Sequence, residues 1–427
     1  MKNIIYKSKI LLPKEGTDLT KWAVIACDQH TSEGEYWQET ESIVGDAQST
    51  LNIILPEVYL EETGVEKRIE NIQKTMAEYK KTVLTREVDG FVYVRRTIGE
   101  NVVREGLVAA IDLEDYSFEK GKKPLIRPSE ATVVSRIPPR LAVRRGASLE
   151  CPHIMMLLDD DKFSIVEPIG AMGGKLPKCY SAKLMQNGGE LEGFAIENEE
   201  LINEISNKIN AIAQRETFDE KYPFAKGDET IAMAVGDGNH SLATAKAYWE
   251  EIKKDLSPDA QKDHPARFCL VEIVNIHSKA IEVEPIHRVV FGIDEKTFNE
   301  KLVAFYGEKN LNKKTAESHN FKIITQNSSR DFSVNNPKWA IATATIEAFL
   351  DSLTAENIEI KVDYIHGETA VQTLANKGAI GILLPEFKKS DLFLGVVKGG
   401  VLPRKTFSMG QANEKRYYME TRQITKE

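Results

Sequence analysis

Four cysteines in 427 residues, Cys27, Cys151, Cys179 and Cys269, leave no C-x-x-C pair and no dense spacing. That scarcity excludes a disulfide framework and a structural zinc site of ordinary ligand spacing, and points to reduced thiols. Long hydrophobic runs are missing as well. None approaches the roughly 18 apolar residues of a membrane span, and the opening MKNIIYKSKILLPKEG lacks the apolar core of a secretory signal, so a cytoplasmic location is expected. Basic charge is short: 56 Lys and Arg stand against 65 Asp and Glu, a formal net charge of -9. Without a broad cationic face, neither nucleic acid nor membrane is the expected partner, and a small-molecule substrate is. Tandem repeats and low-complexity tracts are also absent, so the chain reads as folded domains of ordinary composition.

The densest chemistry lies in AVGDGNHSLATAKAYWEEI, Ala234 to Ile252. Ile231 to Val235 form an apolar run suited to a buried strand, and Gly236 and Gly238 permit a tight turn or close ligand approach. A helix is expected to begin between Asn239 and Leu242 and to run to about Glu251, with Leu242, Ala245, Trp249 and Ile252 on one face. Its first-turn N–H groups then point into the turn, a favourable place for an anion. Asp237, Asn239, His240 and Ser241 add a carboxylate, an amide, an imidazole and a hydroxyl at that mouth, types suited to metal binding or proton transfer. The same letters also suit a turn chosen for Asx and capping preferences.

Strands and helices alternate with hairpins around this unit, which predicts a mixed α/β or α+β chain rather than a continuous βαβ wheel. Trp22 to Cys27 reads as a strand, Glu61 to Val83 as a long helix, and FVYVRRTI with VVREGLVAAIDL as two strands joined at Gly99 to Asn101. HIMMLLDDDKFSIVEPI reads as two more strands around Asp159 to Asp161, and Glu197 to Glu220 as a helix. After the helix Glu295 to Tyr306, the polar stretch Lys313 to Lys338 is the expected boundary or insertion. Beyond it come helix Ile346 to Leu353, strand Ile358 to Tyr364, helix Thr369 to Lys377 and strand Ala379 to Leu384. The division expected is an N-terminal α/β region with hairpins over 1–125, a core with the GDGNHS turn over 126–312, and a C-terminal α/β subdomain and tail over 313–427.

Other constellations are smaller. RPSEATVVSRIPPRLAVRR places Arg127, Arg136, Arg140, Arg144 and Arg145 around one acid, Glu130, and Arg140 and Arg144 share a helix face if Pro139 sits in the first turn. Such arginines suit a phosphate or carboxylate, or a solvated face paired with acids. Glu130, held ionised by them, could bind a metal or take a proton from a hydroxyl. Asp28 and His30 follow the predicted strand in CDQHTSE, and Asp28 is a second candidate base. GAMGGKLP lacks both the G-x-x-x-x-G-K spacing and a Ser or Thr after Lys175, which rules out a Walker site.

VGDGNHSLATA resembles the DGHHR-type motif of a bacterial and archaeal family of unknown function related to an ADP-dependent kinase of free serine. HPARFCLVEIVNI (264–276), EPIHRVV (284–290) and LPRKTF (402–407) resemble further segments of that SerK-like family in the same order, and RPSEAT (127–132) resembles its HERT segment. The resemblance implies a core similar to the ParB and sulfiredoxin fold and a nucleotide-dependent phosphotransferase, using ADP or ATP with Mg2+, that acts on the hydroxyl of a small metabolite. In that scheme Gly236, Gly238, Asn239 and Ser241 hold phosphate and Asp237 binds Mg2+. Glu130 or Asp28 accepts the proton, His240 joins the catalytic group, and Arg140, Arg144, His287, Arg288 and Lys405 contact the charged substrate. The chain departs from the pattern at Asn239, where the family has His, and at Ser241, where it has Arg; the second change removes a bidentate phosphate clamp. A nucleotide- or metabolite-sensing module without turnover and a metal-assisted phosphohydrolase using Asp237, His240 and Glu130 are the alternatives.

Overall fold

The computed structural model describes residues 2–99, 102–313, 315 and 317–426, and the chain divides into two compact units, Met1–Ile281 with Gly410–Glu427, and Glu282–Met409. No helix among the described residues is long and apolar enough to cross a membrane.

The first unit is built on a ten-stranded mixed sheet among the described residues. Its main path runs Ile126–Pro128, Met233–Asp237, Met155–Leu158, Phe268–Asn275, Val102–Asp112, Arg86–Ile98, Glu190–Ile196 and Lys178–Lys183. Alternation along the long central strands sends successive side chains to opposite faces. Val92 and Val94 join a core with Trp22, Trp37, Ile72 and Met76, whereas Phe91 and Tyr93 join one with Ile205, Ile209, Leu242 and Trp249. Helices Val65–Thr82 and Glu199–Ile212 therefore belong to different faces of one sheet. Both are covered, which is why the strand Met155–Leu158 is apolar at every position.

The motif unit is a strand Met233–Asp237, a Gly238 turn and a helix Asn239–Ile252. Gly238 has φ 81° and a Cβ there would lie 3.0 Å from the Ile154 Cα, so both conformation and space require glycine. The Met233–Asp237 strand pairs in parallel with Ile126–Pro128 and antiparallel with Met155–Leu158. The carboxyl ends of the two parallel strands therefore emerge together, carrying Asp237 and Ser129–Glu130 to one sheet edge.

Three local expectations are corrected. Trp22 to Cys27 is not a strand: a helix Leu19–Trp22, capped by the Asp18 carboxylate, is followed by an isolated bridge between Ile25 and Tyr417. The second half of HIMMLLDDDKFSIVEPI is a helix, Val166–Ala171, because the Asp160 carboxylate accepts the N–H groups of Ser164 and Ile165 and turns the chain out of the sheet. Glu197 to Glu220 is two helices, Glu199–Ile212 and Arg215–Lys221. The strands Arg86–Ile98 and Val102–Asp112 form their hairpin, although Glu100 and Asn101 of the expected joint lie outside the described residues.

The second unit has a five-stranded antiparallel sheet in the order Ser329–Val334, His319–Ile324, Ile380–Leu383, His287–Phe291 and Lys361–Ile365. Helices Glu295–Tyr306 and Ala342–Glu356 pack Phe298, Leu302, Ile346, Phe349 and Leu350 against it. The polar stretch Lys313 to Lys338 lies within this unit and supplies the hairpin of its first two strands, where Phe321, Ile323, Phe332 and Val334 turn into one apolar cluster and Ile324 into another.

Candidate functional site

Five segments of the first unit converge on the start of the helix Asn239–Ile252. Its N-cap is Gly238, and no side chain caps it. Ser241 Oγ lies 2.8 Å from His153 Nε2, and the other ring nitrogen, Nδ1, lies 2.8 Å from the Tyr418 hydroxyl, which also accepts the Cys27 N–H at 3.0 Å. Asp28 Oδ2 is 3.5 Å from the same His153 Nε2. Asp28 and Ser241 thus address one nitrogen, so this is not a relay in which the acid orients the far side of the ring. Burial alone would raise the Asp28 carboxyl, yet the charge and hydrogen bond of His153 hold it well below the usual carboxylate range. Burial disfavours a charged His153, and Asp28 outweighs it, raising the imidazole. Between pH 3.8 and 6.5, therefore, both groups are charged and form an ion pair.

Asp237 and its surroundings carry the second charge centre. Lys415 Nζ lies 3.1 Å from Asp237 Oδ2, while Asp237 Oδ1 accepts the Gly238 N–H at 3.0 Å. That donor set suits an ammonium rather than the magnesium ion expected at Asp237, and no group of three or more His, Cys, Asp or Glu that could hold a metal lies together among the described residues. Asn239 Nδ2 donates to Ser129 Oγ at 3.3 Å, and its Oδ1 is buried without a hydrogen-bond partner. Ser129 and Asn239 tie the Glu130 segment to the motif turn, as the parallel strand pair requires.

His240 differs from its expected role. Its Nε2 accepts the Val133 N–H at 3.3 Å, and burial with the Arg140 and Arg136 charges lowers the imidazole to about 4. The ring is neutral near pH 7 and its acceptor nitrogen is occupied, which makes it a tie between the helix start and the Val133 segment rather than a proton carrier. The expected arginines are paired: Arg140 Nε donates to Glu57 at 2.6 Å and Arg144 NH2 to Glu150 at 2.6 Å, and Arg422 shares Glu150 at 2.8 Å. A lone guanidinium would have clamped phosphate; a partnered one is largely neutralised. Both still line the cavity described below, together with His153 and Ser241.

The remaining expected contacts fall in the second unit and have structural work there. Arg288 is fully buried, donates to Glu347 Oε2 at 2.9 Å and to the carbonyls of Ile286 and Lys405, and lies 4.6 Å over the Tyr364 ring. His287 Nδ1 accepts the Leu384 N–H at 3.2 Å, and burial lowers its imidazole. Lys405 is exposed at φ 56°, and its carbonyl is what Arg288 uses. The strand His287–Phe291 explains both: its first four positions are all buried, so the polar ends of His287 and Arg288 must be satisfied within the unit.

His153, Tyr418, Lys415 and Glu57 had not been singled out in the sequence. The available signals were faint: CPH immediately before an apolar strand, and a basic-aromatic KRYY in the tail. The tail is fixed by buried charge. Arg416 is ion-paired to Glu272 and Glu420, and Arg96 donates to the carbonyls of Gly188 and Asn413 at 2.7 and 2.9 Å. Held there, the segment delivers Lys415 to Asp237 and Tyr418 to His153.

The first unit is thus a mixed α/β unit with a glycine turn, an open helix start and an Asp–His pair. The family model DUF1015, described as a protein of unknown function, matches residues 11–354, and the chain belongs to that family. No curated protein matches it. Among solved structures, the chain is similar to a free serine kinase variant in complex with AMP, at 12% identity and TM-score 0.38, covering 77% of this chain and 95% of that one. It is also similar to a conserved hypothetical protein from Pyrococcus furiosus, at 12% and 0.34, covering 74% and 95%. A third is SbnI with a C-terminal truncation from Staphylococcus aureus, at 10% and 0.36, covering 71% and 82%. At those scores the likeness carries no argument about activity.

Proposed function

We propose that the first unit is a nucleotide-dependent phosphotransferase acting on the hydroxyl of a small molecule, with the phosphate at the Gly238–Ser241 turn. The observation that carries this reading is the uncapped helix start at a left-handed glycine, met by the His153 and Lys415 charges from distant segments. The helix amides of that turn stabilise a phosphoryl group whose charge spreads over its oxygens, and His153 and Lys415, each balanced by its own carboxylate, shape the polar wall beside it rather than adding net charge. The acceptor hydroxyl oxygen bonds to the terminal phosphorus, the bond from that phosphorus to the nucleotide's bridging oxygen breaks with its electron pair, and the proton passes to a carboxylate. Glu130 is the carboxylate assigned that task. Asp28, held ionised far below its ordinary range by His153, is a weak base and instead keeps the imidazole charged.

The test is phosphorus NMR of ADP or ATP incubated with the protein and a panel of hydroxyl compounds. The expected result is a new phosphate ester and a Glu130→Gln variant whose kcat falls about 100-fold or more with little change in KM, the size of a lost general base. Nucleotide binding without turnover on any acceptor overturns the enzyme and leaves a sensing module. That second reading is favoured by one observation, the engagement of Arg140 and Arg144 with Glu57 and Glu150 rather than with an open phosphate position.

A further inference from the structure

Beside the polar turn lies a cavity of about 140 Å³ in the first unit, and most of its wall is apolar. Ile53, Met76, Ala147, Leu149 and Leu270 are all buried around it, and the Cys27, Cys151 and Cys269 thiols, pushed up by burial, remain protonated and apolar in character. At one end are Ser241, His153 and the Tyr418 hydroxyl. A hydrocarbon-lined cavity of about 150 Å³ holds a benzene ring. This one therefore has room for an apolar group of about six to eight heavy atoms.

The charges define the other half of the ligand. Every charged side chain lining the cavity has an opposite partner: Arg140 with Glu57, Arg144 with Glu150, and His153 with Asp28. No uncompensated charge is left to bind an ion, whereas Ser241 and the His153–Tyr418 pair offer hydrogen bonds. The Arg140, Glu57 and Arg144 side chains keep 14%, 12% and 15% exposure, so the cavity meets solvent on its arginine side. We infer that the cavity binds a compact apolar alcohol, a single aromatic ring or branched aliphatic chain carrying one neutral hydroxyl, with the hydroxyl at Ser241 and His153. The inference rests on the phosphotransferase reading only in making that alcohol the acceptor; the binding itself needs no nucleotide.

The experiment is calorimetric titration of the full chain, without nucleotide, using 2-phenylethanol and 3-methylbutan-1-ol, with phenylacetate and free serine as charged comparisons. Both alcohols are expected to bind at least tenfold more tightly than phenylacetate or serine. Ala147→Leu, which fills the cavity, is expected to weaken 2-phenylethanol at least tenfold. Leu149→Ala, which enlarges it, is expected to shift preference at least threefold toward the larger 2-(indol-3-yl)ethanol, so the proposal stays testable if the filled variant fails to fold. No heat with either alcohol at millimolar concentration, tighter binding of phenylacetate or serine, or a folded Ala147→Leu variant with unchanged affinity overturns it. Alcohol binding without phosphorylation removes the phosphotransferase and leaves the pocket; phosphorylation of serine with no alcohol binding removes the pocket and leaves the phosphotransferase.

Discussion

Replacing Asp28 by Asn tests the ion pair at the centre of the site. Attraction between unit charges at the 3.5 Å separation of Asp28 and His153 is ~5 kcal/mol for an effective dielectric of about 20. Both groups surrender water to make it, His153 at 7% and Asp28 at 21% exposure, so about 1–3 kcal/mol survives as net stability. The pH window follows from the two shifts. The raised His153 contributes fully below its ordinary value of 6.5 and loses that contribution as pH rises through its higher folded value. The lowered Asp28 contributes above its ordinary 3.8 and loses that contribution as pH falls through its still lower folded value. Urea unfolding of wild type and Asp28→Asn should therefore differ by about 1–3 kcal/mol at pH 5.5, with the gap closing as pH rises past the folded His153 value. Proton NMR should show His153 titrating above 6.5 in the wild type and lower in the variant, where only the weaker pulls of Asp237 and Glu57 oppose burial. A stability gap that is flat from pH 5.5 to 9.5, or a wild-type His153 that titrates at or below 6.5, refutes the pair.

Gly238→Val should cost about 1–3 kcal/mol in thermal unfolding, because φ 81° disfavours a β-branched residue and its Cβ meets Ile154, and should abolish calorimetrically detected phosphate or nucleotide binding at the turn. His240 should stay neutral by NMR down to about pH 4; its lowered value adds stability above 6.5 that drains away as pH falls, opposite in sign to His153, and His240→Asn should flatten that acid limb. Glu272→Gln leaves Arg416 and Arg104 facing a neutral amide in a site where Glu272 is 2% exposed, and should lower stability by about 3–5 kcal/mol in urea melts, with loss of the tail's protection from proteolysis.

Much of the fold was legible because local patterning and tertiary demand agree. The helix Glu295–Tyr306 has the limits expected of it, since its Asp294 cap and apolar face lie within its own residues, and Asn239–Ile252 follows from two glycines and a helical period. Where they disagreed, a side chain acted across the chain or against the local period. Val24 to Ala26 look like a strand but find their strand-like pairing with Arg416 and Tyr418, nearly 400 residues away, through Ala26 N–H to Arg416 O and Tyr418 N–H to Val24 O. Asp160 turned an apolar stretch out of the sheet by accepting the Ser164 and Ile165 N–H groups just ahead of the helix Val166–Ala171.

The candidate site divides along the same line. Sequence alone determined the turn, its glycine and the helix that opens on it, because backbone conformation and amphipathic burial are properties of neighbouring residues. Only the tertiary structure decided which charges are free: Arg140, Arg144 and Arg288 look like phosphate ligands until Glu57, Glu150 and Glu347 are brought to them. It alone brought His153 to Ser241 and Lys415 to Asp237, since pairing between segments far apart in the chain is set by sheet order and tail packing, and carries no local periodicity from which it could be read.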